Sequence, residues 1–263
     1  MDLKLEGKKA LVAGSSRGLG FAVASLLAAE GAEVTLNGRK LAGLMTAQEK
    51  IQAATGAKTH GFACDLGKAD APAKLVDDAC AAMDGLDILI TNSGGPRPGR
   101  FESMTDADWL NSFNLLLMSH VRMIRQALPC LRKSTTPAIL TITSCSVKQP
   151  IPNLVLSNSV RAATVGLTKT LALELGVEGI RVNSILPGWT DTERVQTLIK
   201  DRADKNKTTE KEEMAKQAAD SPFNRIATPA EFAYAAVFLV SPLASYITGT
   251  MLSVDGGTVK SLL

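Results

Sequence analysis

Short apolar runs alternate with longer stretches of helical periodicity through most of the chain, and this alternation narrows the possible folds more than any other feature. Residues 10–13 precede a helical segment at 18–30, 33–36 precede 41–54, and 59–63 precede 69–83. The pattern continues through 86–91, a long helical stretch at 109–131, 138–143, a helix over 158–175 and a strand over 180–186. Strands this short and this continuously apolar are buried on both faces, which calls for a parallel sheet with helices packed on each side. The spacing therefore predicts an α/β chain with a doubly wound sheet. With 263 residues, 45% of them apolar, it can fill one such core but hardly two, so a single domain over residues 1–263 is expected.

Glycines punctuate the helical segments at Gly31 and Gly176, in keeping with the ease with which glycine ends a helix. The one compositional break is the densely charged stretch 200–220, between the strand ending at Leu186 and a helix opening near Thr228 and Pro229. A charge run alone reads as a solvated helical surface. Its place after a strand's carboxyl end also suits a substrate lid, expected over about 188–222.

The charge balance excludes several function classes. Twenty-nine basic residues against 26 acidic ones leave +3, and no Lys/Arg-rich run marks a nucleic-acid surface. Cys64, Cys80, Cys130 and Cys145 lie far apart, and His60 and His120 add no metal-ligand spacing, so no metal site is expected and the thiols read as reduced and intracellular. The first residues are charged, and no apolar run approaches the ~20 residues needed to span a bilayer. These features predict a soluble, cytoplasmic protein with a small-molecule ligand.

Gly14-Ser15-Ser16-Arg17-Gly18-Leu19-Gly20 follows the first strand and opens the first helix. Gly14 permits a tight turn, Gly18 and Gly20 permit close backbone approach, and the helix N-terminus offers unpaired N–H groups to a pyrophosphate. An ordinary glycine-rich turn is the bland alternative. Taken with Asp65, the Thr91-Asn92-Ser93-Gly94-Gly95 turn, Asn114, Ser144, Pro187-Gly188 and Asp255-Gly256-Gly257, the chain resembles the short-chain dehydrogenase/reductase family along nearly its whole length. A Rossmann-type sheet follows from the resemblance.

The resemblance implies that Gly14, Ser16, Arg17, Gly18, Leu19 and Gly20 hold a dinucleotide's pyrophosphate and that Asp65 and Leu66 flank its adenine. Asn92, Ser93 and Gly94 back the cofactor, and Thr192, after Pro187 and Gly188, faces the nicotinamide carboxamide. Asp65 and Asn92 also suit plain turn roles. Where an NAD site places an acid for the ribose, the second strand ends in Asn37-Gly38-Arg39. Arg39 and Arg17 suit a 2′-phosphate instead, which favours NADP(H), although solvated surface arginines are the commoner case.

At the catalytic end the family uses a serine that polarises the carbonyl, a tyrosine thirteen residues on that transfers the proton, and a lysine four further that lowers the tyrosine's pKa and binds ribose. Ser144 fits the first role, whereas the following two positions are Ser157 and Arg161. Residues 162–173 still resemble the family's helix, so the signature reads S-x-x-x-R. A serine hydroxyl is a far weaker acid than a tuned phenol, and Arg161 is a permanent cation able to bond ribose with no phenol to acidify. The resemblance makes Asn114, rather than Asn111, the residue that holds a water in the proton chain. Cys145, His120 or a water between Ser144 and Ser157 are other conceivable donors. Cys145 also reads as a small buried residue and His120 as a helix-face or interface residue. Tyr234 and Tyr246 read as packing residues.

Gly94 to Arg100 form a stiff basic rim, where Arg97 or Arg100 meets either an anionic substrate or only solvent. The leading reading is an NADP(H)-dependent oxidoreductase of carbonyls or alcohols with a non-standard proton donor. A catalytically silent dinucleotide-binding protein, serving as sensor or assembly partner, is the alternative, and a non-redox isomerase or lyase ranks last. The resemblance also implies a homotetramer or homodimer built on the helices at 109–131 and 158–175.

Overall fold

The computed structural model describes residues 2–262. Seven parallel strands form one sheet in the order β3-β2-β1-β4-β5-β6-β7: β1 (Lys9–Val12), β2 (Glu33–Gly38), β3 (Thr59–Ala63), β4 (Ile88–Thr91), β5 (Ala138–Ile142), β6 (Arg181–Pro187) and β7 (Met251–Val254). The chain winds outward from β1 to β3, then crosses back to β4 on the other side of β1, with Val12 opposite both Leu36 and Ile90. That reversal opens a crevice beyond the carboxyl ends of β1 and β4, where doubly wound sheets bind ligands.

Pleating sends alternate residues of each apolar run to opposite faces. Ala10 and Val12 join the layer filled by α1 (Gly18–Ala29), α2 (Leu41–Thr55) and α9 (Pro229–Val240), through Val23, Leu27, Leu44, Phe232 and Val237. Leu11 and Ala13 join the opposite layer, filled by α3 (Ala71–Met83), α5 (Ser119–Leu131) and α6 (Val155–Gly176), through Leu75, Met123, Ile124 and Leu175. Each fully buried leucine or isoleucine contributes about 1.5–3 kcal/mol.

Two expectations are revised. The 109–131 helix starts earlier, as α4 (Asp106–Phe113) on a Thr105–Asp108 capping box, and passes through a π turn at Asn114–Met118 before α5. The charged stretch is two helices, α7 (Glu193–Asn206) and α8 (Glu210–Ala219), and it is not wholly solvated: Glu213 is buried and takes hydrogen bonds from Thr208, Asn206 and Lys216. Helix α6 ends at Gly176 as expected, and the left-handed residue that follows is Gly179, at φ 77°. Strand β7 was not legible as a strand, being four residues long and only partly buried. No described helix is long and apolar enough to cross a membrane.

Candidate active site and cofactor cleft

The glycine turn is pinned from both sides by asparagines. Asn37, buried at the end of β2, accepts from the Gly14 N–H at 3.1 Å and donates to the Phe62 carbonyl at 3.1 Å. Ser15, also buried, donates to the Val12 carbonyl and accepts from the Asn37 N–H at 3.0 Å. From β4, Asn92 donates to the Gly14 carbonyl at 3.1 Å. Gly14 sits at φ 58°, and a Cβ there would lie 3.0 Å from Asn92 Nδ2. A Cβ on Gly20 would collide with the Gly14 carbonyl. Helix α1 begins at Arg17 with no side-chain cap and no acid in its first turn, whereas α4, α8 and α9 each carry a capping box. An uncapped N-terminus under a closely folded glycine turn suits a phosphate group.

Ser16 lies against Gly38, so close that a Cβ at position 38 would fall 2.7 Å from its Oγ, and Arg39 follows exposed without an ion pair among the described residues. Arg17, by contrast, is ion-paired with Glu193 at the start of α7. Asp65 is exposed and accepts from the Gly67 N–H at 3.0 Å in a turn, beside the buried Leu66. Leu19 packs beside the core layer of α1. Ser93 is buried behind exposed Gly94. Gly188 passes so near Asp255 that a Cβ would lie 2.6 Å from its Cα, which gives this glycine a packing reason. Thr192 caps α7 by accepting from the Val195 N–H and lies across the cleft from Gly18. Between the loop after β5 and helices α7–α8 there is a cavity of about 360 Å³, lined by Cys145, Gln149, Trp189, Arg202 and Glu213 among others. Arg202 stacks over Trp189 at 4.7 Å.

At the carboxyl end of β5, Ser144 Oγ accepts from the Ser146 N–H at 3.1 Å. Ser157 and Arg161 stand one turn apart on α6, each only 8% exposed. Arg161 Nη1 donates to the Ile142 carbonyl at 3.2 Å, two residues before Ser144, so the guanidinium and this serine share the end of one strand. Burial, with the Arg194 cation adding to it, pushes Arg161 down to about 10. His120 is neither a surface nor an interface residue of this chain's helix: it is fully buried, and its Nδ1 bonds Thr91 Oγ1 at 2.7 Å. Burial first, and the Arg161 cation second, push its pKa down to about 3. The Cys145 thiol, buried as expected, is raised to about 11 by burial and by Asp255. None of these three groups titrates near neutrality.

Asn114 opens the π turn that leads into α5. Its side chain donates back to the Leu110 carbonyl at 3.1 Å and accepts from Arg122, on the surface of its own helix. In the same π turn, fully buried Leu116 faces α6, its carbonyl taking the Thr164 hydroxyl at 2.7 Å. Arg97 is likewise committed, to Asp108 at 2.9 Å and to the Ser103 carbonyl, and Arg100 reaches Asn153. Tyr234 and Tyr246 are exposed rather than packed. The residue missed in the sequence is Arg194, whose Nη2 donates to the Pro96 carbonyl at 2.7 Å over the Gly94–Gly95 turn.

A seven-stranded parallel sheet with an asparagine-locked glycine turn and a serine at the end of the fifth strand defines a nucleotide-binding oxidoreductase class. The family model described as enoyl-(acyl carrier protein) reductase matches residues 13–259. The chain is 34% identical to the uncharacterized oxidoreductase YvrD of Bacillus subtilis, with both chains covered in full. It is 32% identical to the 3-oxoacyl-[acyl-carrier-protein] reductase FabG of Aquifex aeolicus, covering 98% of this chain and 99% of the other. The crystal structure of L-sorbose reductase from Gluconobacter frateurii, complexed with NADPH and L-sorbose, superposes with a TM-score of 0.95 at 32% identity and full coverage of both chains. The chain belongs to the short-chain dehydrogenase/reductase family, whose members are NAD(P)-dependent oxidoreductases.

Proposed function

We propose that the protein interconverts a small carbonyl compound and its alcohol with NADP(H), and that Ser157 and Arg161 stand where the family's catalytic tyrosine and lysine stand. The observation that carries this reading is the meeting of Ser144 and Arg161 at the end of β5, through the Arg161 bond to the Ile142 carbonyl. When bound, the cofactor supplies or accepts the hydride. Gly14 to Gly20 would hold its pyrophosphate, Asp65 and Leu66 its adenine, Asn92 to Gly94 its back, and Thr192 its carboxamide. Arg39, exposed and unpaired beside Ser16, favours a 2′-phosphate, in keeping with the NADPH named for the sorbose reductase structure.

Ser144 donates its hydroxyl to the substrate carbonyl oxygen and so polarises it. Arg161 brings a fixed positive charge next to the oxygen that becomes negative, and a water between Ser144 and Ser157 gives up the proton. Exposed Leu110 and Phe113 on α4 and Leu173 on α6 support association through these helices, as homodimer or homotetramer.

The side-chain bond of Asn114 back to the Leu110 carbonyl, with no neutral-range acid among His120, Cys145 and Arg161, favours a second reading: a dinucleotide-binding protein without turnover. NADPH oxidation against a panel of carbonyl compounds separates the two, once fluorescence titration has shown NADPH bound to the wild type and to the Ser157→Tyr/Arg161→Lys double variant. Turnover by the wild type is the expected result. Turnover by the double variant alone would establish the silent reading.

A further inference from the structure

We infer that the cleft contains an anion subsite, with Arg161 at its floor and Arg194 at its rim, that takes the carboxylate of an oxo-acid substrate; the choice of substrate rests on the reductase reading above. Several other arginines are satisfied within the chain. Arg17, Arg97, Arg132 and Arg225 each face a carboxylate, of Glu193, Asp108, Glu178 and Glu231. Arg181, under β6, has no acid but donates to the carbonyls of Leu239, Val240 and Ser241 at 2.7–3.1 Å. Arg161 is 8% exposed, has no acid within ion-pair distance among the described residues, and uses one of its five N–H donors within the protein. A buried guanidinium left this open is costly unless a ligand brings the counter-charge.

Geometry sets a second cation beside it. Thr91, the last residue of β4, lies opposite Thr141 of β5, one residue before the Ile142 carbonyl that Arg161 bonds. The chain beyond Thr91 turns through Gly94 and Gly95, over which Arg194 lies: a Cβ on Gly95 would be 3.0 Å from its Nε and Nη2. The two guanidiniums therefore stand over the ends of neighbouring strands. Two guanidinium forks at neighbouring strand ends match a carboxylate, which accepts paired N–H bonds. The pyrophosphate has its own cradle at the glycine turn, and ribose hydroxyls, which Arg161 can also bond, bring no counter-charge. With the bound cofactor supplying the hydride, the carbonyl carbon would gain that hydride and its oxygen one proton from water. The hydroxide left behind passes to solvent, and the carboxylate breaks no bond.

The test is calorimetric titration with oxamate and with its neutral counterpart oxamide, on nucleotide-free protein and on protein saturated with NADP+. Oxamate is expected to bind both forms, with oxamide at least about tenfold weaker. Arg194→Met should weaken oxamate about tenfold, and Arg161→Gln should abolish its binding. Because Arg194 is a surface residue, its variant keeps the test decisive even if Arg161→Gln fails to fold. Equal binding of oxamide, full oxamate affinity in Arg194→Met, or competitive displacement of oxamate by NADP+ would overturn the inference, the last by assigning the site to a nucleotide phosphate. Oxamate binding to a protein that takes no nucleotide would support the anion site and remove the reductase reading.

Discussion

At the glycine end of the cleft the polar groups are bonded to one another: Asn37, Ser15 and Asn92 take up the Gly14 N–H, the Val12 carbonyl and the Gly14 carbonyl. At the serine end, a few residues away across the sheet, they are left open. The Ser157 hydroxyl has no hydrogen-bond partner among the described residues, the Arg161 guanidinium has one, and His120 Nε2 has none. The first arrangement makes a rigid platform whose shape is settled before a ligand arrives. The second keeps donors and charge available for a reacting molecule, at a cost in stability that the well-packed layers on either side of the sheet offset.

The largest effect is expected from Gly20→Ala, because the new Cβ meets the Gly14 carbonyl. Overpacking of this kind costs about 1–3 kcal/mol and should weaken NADPH binding at least a hundredfold on the order-of-magnitude scale of lost phosphate contacts. Ser157→Ala, a change of similar size at the open end, should leave the melting temperature where it is. Thermal melts and calorimetry on the pair would break the contrast if both variants behaved alike.

A smaller effect concerns pH. His120 has its folded-state pKa pushed from 6.5 down to about 3 by burial. The unfolded chain therefore takes up a proton that the folded chain refuses, so the stability is full above about 6.5 and is lost as pH falls toward 3. Melting curves from pH 7 to 4 should fall less steeply for His120→Asn, which can keep the bond to Thr91. Parallel curves for variant and wild type would rule this out. The smallest effect belongs to Arg97→Ala, whose partly exposed pair with Asp108 is worth at most about 1 kcal/mol. It should leave oxamate affinity unaltered where Arg194→Met does not.

How far these features were legible follows the range of the interactions that create them. The strands and the glycine turn could be read because burial on both faces and close backbone approach are written locally, as apolar runs at 10–13 and 138–143 and as the Gly14, Gly18, Gly20 spacing. The side-chain bonds of Asn114 could not, because they are made inside a π turn at Asn114–Met118 whose buried residue is Leu116. Arg97 and Arg194 look alike in the sequence. One pairs with Asp108 from α4 and the other has no ion pair among the described residues, a difference made by helices that arrive from elsewhere in the chain.

By itself the sequence determined the first six strands, their alternation with helices and the phosphate-suited turn, because hydrophobic periodicity and glycine conformation act between near neighbours; the candidate site serine came from the family resemblance. Only the tertiary structure decided which charges are neutralised, which polar atoms remain open and which residue of a turn looks inward. Those outcomes depend on partners brought together from distant segments, and in a buried setting a single missing partner changes what an arginine or a histidine can do.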